Sequence, residues 1–357
     1  MNLSMTGGLA AAYHSGAQRA RVVTEAWGEK NLFCPNCSCP KLTWLEPGHP
    51  ASDYSCPDCG FWYQLKSQKS RIGDSITDGA YAAMMNAIRC DELPSFYFMH
   101  YEIMPSLAGA GEGGPEAAGP DEGRGKNPIK SPRPDPLPTE SRGEGMLWLV
   151  RNLLLVPHFA FPPSAIIKRK PTTPKGRSKP WIGCNFNLSR IPVEARIEVV
   201  RTITSQGRAR SSTLRSGATA EDGPSEPRRD RDIAPYQQTI ITPATEVREK
   251  FRRVKPLKDI SVTQRGWTLD VLNIVRRLVD SRRRGNESGS AAEKGASLLT
   301  SAPTGEFSTA DAYAFTRELE KLHPDNQHVK DKIRQQLQVL RDAGLLIHIG
   351  RGEWRLP

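Results

Sequence analysis

The chain has 357 residues, 37% of them hydrophobic, with 50 Lys and Arg against 39 Asp and Glu and a formal net charge of +11. That length allows two domains with linkers, the low apolar fraction argues that part of the chain is unpacked, and the charge favours a polyanionic partner, nucleic acid first. The N-terminus lacks the apolar segment of a secretory signal, and the most apolar run, "MLWLVRNLLLV" (146–156), is broken by Arg151 and Asn152 and too short to span a bilayer. A cytoplasmic protein is expected, in which seven cysteines serve as metal ligands or core thiols rather than disulfides.

The segment 16–35 begins with a helix, since Ala20, Val23, Thr24 and Trp27 fall near helical spacing. Glu25 lies on it and could support a nearby metal site, although a solvated helix charge is the simpler account. Next come two CxxC turns, Cys34-Pro-Asn-Cys37 and Cys56-Pro-Asp-Cys59. Each can aim two thiolates at one ion, and the pair closes a four-sulfur structural Zn²⁺ site with no open position. Cys39 competes with Cys37 but breaks the two-residue spacing, and Cys90 and Cys184 read as core thiols.

Around the second turn, Asp53 and the run 61–66 read as two short strands. Gln64 and Lys66 are two apart, so both project from one strand face. Asp53 and Gln64 would offer oxygens to Mg²⁺, and Lys66 would orient water and stabilise charge on a phosphoryl group, the chemistry of a metal-dependent phosphodiesterase. The zinc knuckle would staple the hairpin that carries these groups. The triad alone also fits a solvated polar strand.

Farther on, "DGAYAAMMNAIRC" (78–90) reads as a helix with Asp78 near its N-cap. An aromatic strand (95–103), a strand or helix start (146–156) and a strand (196–203) complete an α/β or α+β core. Three low-complexity segments, 106–145, 205–232 and 281–297, are too polar to offset chain entropy and are expected to be disordered, the last as part of an insertion over 281–305. These divide the chain into a core at 1–204, a connecting segment at 233–260 and a C-terminal domain at 261–357.

The C-terminal domain reads as three helices and a hairpin, the order of a winged helix. Trp267, Val271, Ile274 and Leu278 stripe the first helix (266–280), 308–324 starts at a Ser/Thr cap, and Val329, Ile333, Leu337 and Leu340 stripe the third. The run 346–356 is a hairpin turning at Gly350-Arg351-Gly352. Lys330, Arg334, Gln335, Gln338 and Arg341 lie off the third stripe, suited to phosphates and base edges, and Arg351 sits on the wing as a further DNA contact. The segment from about residue 245 is expected to fold alone.

Taken together these runs resemble the Dam-replacing family of DpnI-like methyl-directed restriction endonucleases. The matching runs include "QRARVVTEAW", "FCPNC", "DYSCPDC", "ITDGAYAAMM", "IIKRKP", "WIGCN", "RGWTLDVLN" and "HVKDKIRQQLQVLRD", in family order across both ordered parts. The resemblance implies a PD-(D/E)XK nuclease followed by a winged helix. It implies Mg²⁺-dependent, type II cleavage of double-stranded DNA at GATC carrying N6-methyladenine, by a monomer, with Zn²⁺ structural. Asp53 and Lys66 fall on the family's catalytic positions, whereas Gln64 stands where the family has glutamate. Trp181 of "WIGCN" becomes the expected contact to the N6-methyl group, which projects into the major groove. The competing reading is a methyl-DNA-binding or regulatory protein that does not cut.

Overall fold

The computed structural model describes residues 1–46, 52–105, 146–173, 180–205, 236–288 and 305–357. The expected insertion 106–145 lies outside the described residues, as do 206–232 and 289–304.

The chain opens with a short strand β1 (Ser4–Met5) and helix α1 (Gly16–Asn31), which buries Val23, Thr24 and Trp27 as its spacing required. Strands β2 (Thr43–Trp44), β3 (Tyr54–Ser55) and β4 (Trp62–Gln68) follow, then β5 (Ser75–Ala80) and helix α2 (Tyr81–Arg89). Next are β6 (Ser95–Pro105), β7 (Met146–Val156), β8 (Ile166–Lys168), β9 (Gly183–Asn187), β10 (Ile197–Ser205) and β11 (Tyr236–Ile241). Eight strands form one mixed sheet in the order β11-β10-β7-β6-β4-β3-β2, with β1 on β7, and only the β4–β6 pair is parallel. A small antiparallel sheet, β5-β9-β8, covers one face of it. Its Phe186 packs edge-on against Phe96 and Phe98, whose ring centroids lie 4.9 and 5.6 Å away.

Two expectations change here. The helix of 78–90 begins only at Tyr81, and Asp78 is a buried strand residue rather than an N-cap. Cys90, expected in the core, is exposed at the helix end, whereas Cys184 is buried. The run 146–156 resolves as a strand, because β6 offers backbone partners along its length and β1 and β10 pair with parts of its other edge.

The connecting segment is structured from residue 236 onward. It supplies β11, which pairs with β10, and helix α3 (Ala244–Val254), which buries Val247, Phe251 and Val254. Helix α4 (Val262–Ser288) runs eight residues beyond the expected 280. The C-terminal part continues with β12 (Glu306–Ser308), α5 (Thr309–Tyr313), α6 (Thr316–Leu322), α7 (Val329–Asp342), β13 (Ile347–Gly350) and β14 (Glu353–Arg355). Ser308 caps α5 through a reciprocal capping box with Asp311. Strand β12 pairs with β14, so the wing is a three-stranded sheet, β12-β14-β13. Gly352 turns the hairpin with φ of 75°, a left-handed conformation that a Cβ would strain.

Candidate functional site

The β3–β4 hairpin carries both motifs. Its connection is the second CxxC turn, closed by Gly60 N–H to the Cys56 carbonyl and by Cys56 N–H to the Phe61 carbonyl. The first CxxC folds beside it. The Sγ atoms of Cys34, Cys37, Cys56 and Cys59 all lie within 4.8 Å of one another, with Cys34–Cys59 at 3.6 Å and Cys37–Cys56 at 3.5 Å. Four thiolates about 2.3 Å from one ion would be roughly 3.8 Å apart, so this donor set could bind zinc. Cys39 is outside the cluster and points its thiol at the Lys41 carbonyl, 3.1 Å away.

Two buried tyrosines tie the cluster to the sheet. Tyr63 meets the Cys34 sulfur at 3.1 Å and Tyr97 donates to the Phe33 carbonyl at 2.7 Å. From α3, Arg248 donates to the carbonyls of Cys34, Ser38 and Cys39 and lies over the Phe33 ring. Nothing in the local sequence around Arg248 signalled this clamp, because its partners lie more than 200 residues earlier.

On β4, Gln64 and Lys66 share one face while Tyr63 and Leu65 point into the core. Asp53 sits just before β3, and its carboxylate accepts the Leu65 N–H at 2.9 Å. Leu65 lies between Gln64 and Lys66, so the structure brings the three expected residues to one strand segment. Burial pushes the Asp53 carboxyl up to about 6, against the Leu65 hydrogen bond, with Glu25 adding to the rise and Lys66 opposing it. Glu25 belongs to α1, which is held on β4 by a 3.1 Å contact between Thr24 and Ser67 hydroxyls. Its carboxylate pairs with Arg21 at 2.6 Å. Tyr54 donates to the Glu25 carbonyl at 2.8 Å, and its ring packs so close to Gly28 that a Cβ there would lie 2.4 Å from the hydroxyl.

Lys66 does not pair with Asp53. Its ammonium forms an ion pair with Asp78 of β5, a residue the sequence assigned to a helix cap. Along the same face of the sheet, Gln68, His100 and Asn152 continue from Lys66 on adjacent strands. Asn152 contacts the His100 ring at 3.0 Å and accepts the Thr202 N–H at 2.9 Å. His100, Asn152 and Thr202 line a cavity of about 420 Å³ with Arg71, Arg196 and Arg201 on its walls.

Trp181 lies beside the small sheet, in a bridge to Thr172. It is half-buried, and its ring packs against Gly183, where a Cβ would lie 2.6 Å from it. The indole is therefore held in place with part of its surface open. On α7, Lys330, Arg334, Gln335, Gln338 and Arg341 are all exposed, as is Arg351 on the wing. Lys330 and Arg334 both lie 5.7 Å from the Tyr313 ring centre, and Arg341 pairs with Asp342. Gln336, one residue from this row, is buried and accepts from Thr268 of α4.

A mixed α/β sheet core with a zinc-type cysteine cluster, joined to a C-terminal helix-turn-helix domain with a wing, defines a two-domain DNA-binding protein. A family model described as DpnI, Dam-replacing family, matches residues 1–106 and 146–211, and that of the Dam-replacing HTH domain matches 299–356. The chain is a DpnI-like protein and belongs to the Dam-replacing family, which implies a nuclease. No helix among the described residues is long and apolar enough to cross a membrane.

Proposed function

We propose that the protein is a methyl-directed type II restriction endonuclease that cleaves double-stranded DNA at GATC containing N6-methyladenine, with a PD-(D/E)XK centre of Asp53, Gln64 and Lys66. The observation that carries this reading is the convergence of those three residues on one segment of β4, through the Asp53–Leu65 hydrogen bond. Asp53 and Gln64 would hold Mg²⁺. Burial, with Glu25 nearby, pushes the Asp53 carboxyl up to about 6, and a bound cation would offset the cost of holding it ionised there. When bound, the ion supplies activation of water and neutralisation of the phosphoryl oxygens. Lys66 orients the attacking water and stabilises the charge that develops on the scissile phosphate in the transition state. The hairpin, held by the cysteine cluster and Tyr63, keeps these groups in fixed relation, and Zn²⁺ there is structural.

Recognition belongs to two surfaces in this reading. Trp181 offers an apolar face to the methyl group. The exposed row on α7, with Arg351 on the wing, binds phosphates and reads base edges. The protein acts in the cytoplasm as a monomer. A second reading, a methyl-DNA binder that does not cut, is favoured by one observation: an amide at 64 where a carboxylate would bind Mg²⁺ better.

Plasmid carrying methylated or unmethylated GATC, incubated with and without Mg²⁺, separates the two. The endonuclease cuts only the methylated plasmid and only with the metal. Lys66→Ala should lose at least about a thousandfold in rate while binding methylated duplex within about threefold of wild type, since it acts on the transition state. Binding without cutting, at any Mg²⁺ or Mn²⁺ concentration, would establish the second reading.

A further inference from the structure

Asp78 is the residue at this centre that the catalytic triad does not use. It comes from β5 of the small sheet, whereas Lys66 comes from β4 of the large one, so their ion pair links two layers at the site. The Asp78 side chain is only 2% exposed, and its Oδ2 is buried with no hydrogen-bond partner. The strand register slips between Asp78 and Ala80 against β9, a bulge of the kind that re-aims a side chain. A buried carboxylate without compensation is costly, so Lys66, its ion-pair partner among the described residues, is held there strongly.

We propose that Asp78 is a positioning residue of the nuclease centre, fixing the Lys66 ammonium over the catalytic strand from the opposite sheet. This rests on the nuclease reading. Lys66 has a long side chain with four rotatable bonds, and an unguided ammonium would sample many positions away from the phosphate. The Asp78 carboxylate restricts it to the space between the two sheets, close to Asp53. It touches neither substrate nor metal in this role. Its contribution is the aim of Lys66, so its loss should affect turnover more than DNA affinity.

The test has two arms. Thermal melting is measured for wild type, Lys66→Met, Asp78→Asn and the double variant. Lys66→Met strands a buried carboxylate and should lower Tm by about 5 °C, and adding Asp78→Asn should restore most of the loss. Additive losses would show that the two residues do not interact in solution and would overturn the proposal. In the second arm, cleavage of methylated duplex is followed alongside binding in Ca²⁺. Asp78→Asn should lower kcat about 10- to 100-fold with KM and Kd changed less than about threefold, and Asp78→Glu should recover part of kcat. Wild-type turnover in Asp78→Asn, or a loss confined to affinity, would overturn the positioning role. A wild-type chain that cuts nothing would overturn the nuclease reading and the catalytic part of this proposal with it, while the melting cycle still decides the ion pair.

Discussion

In the nuclease reading, position 64 decides how firmly the metal is held. An amide oxygen carries less negative charge than a carboxylate and binds a hard cation more weakly. Gln64→Glu should therefore lower the Mg²⁺ concentration for half-maximal cleavage by about tenfold, read from metal titrations of the rate. If the wild type binds but does not cut and Gln64→Glu cuts, the chain is a lapsed nuclease. Elsewhere, His158 sits among Phe61, Phe159 and the Ser95 hydroxyl, and burial lowers its pKa to about 4. The folded value is below the unfolded one, so this group's contribution is complete above about pH 6.5 and fades as pH falls toward 4. Its size is on the order of 3 kcal/mol. Denaturant titrations from pH 7 to 4 should show a steeper loss of stability in wild type than in His158→Gln. Equal slopes would mean that His158 takes up its proton at the same pH in the folded and unfolded chain.

Among the elements, the cysteine knuckle and helix α3 form one unit. Metal analysis should find one Zn²⁺ per chain, and Cys56→Ser or a strong chelator should unfold the hairpin that carries Asp53, Gln64 and Lys66. Arg248 binds three carbonyls of the first CxxC loop, so Arg248→Ala should cost about 2 kcal/mol and speed zinc loss to a chromogenic chelator. Unchanged zinc release would mean that the loop holds its shape without α3. The coupling also explains why the connecting segment is ordered: its charged face is solvated while Val247 and Phe251 anchor it to the core.

Across the whole molecule, α4 decides how the two parts are joined. Trp267, Leu269, Val271, Leu272, Ile274, Val275, Leu278 and Val279 are all buried, which covers more than one helix face. One side packs on α5, α7 and β12, and the other on α2 and the turn at 163–165. Polar links cross the same boundary. Asp270 of α4 accepts from Ser164 and contacts His323, Arg265 pairs with Asp91, Arg276 pairs with Glu194, and Glu318 of α6 binds both Arg190 and Arg277. The expectation that residues from about 245 fold alone is therefore not what this packing favours. A fragment 245–357 should aggregate or melt without cooperativity, and the full chain should melt in a single transition. A soluble, cooperatively folding fragment would show that the apolar side of α4 toward the core tolerates water.

The sequence by itself determined the elements whose signals are local. The CxxC spacings, the alternation placing Gln64 and Lys66 on one face, the stripes of α1 and α7, and the Ser308 cap all depend on residues a few positions apart. The exposed row on α7 followed from the same periodicity. Only the tertiary structure decided which distant groups meet. Asp78 precedes a good helix run, and its polar side chain suited a cap, yet pairing of β5 with β9 made it a strand residue and turned it toward Lys66. Strand β12 is three residues long, too short for periodicity to reveal it, and exists because β14 offers an edge. The length and double burial of α4 likewise come from partners on both sides. Local pattern fixes what a segment can become, whereas the pairing of buried charges and sheet edges depends on which other segments arrive to satisfy them.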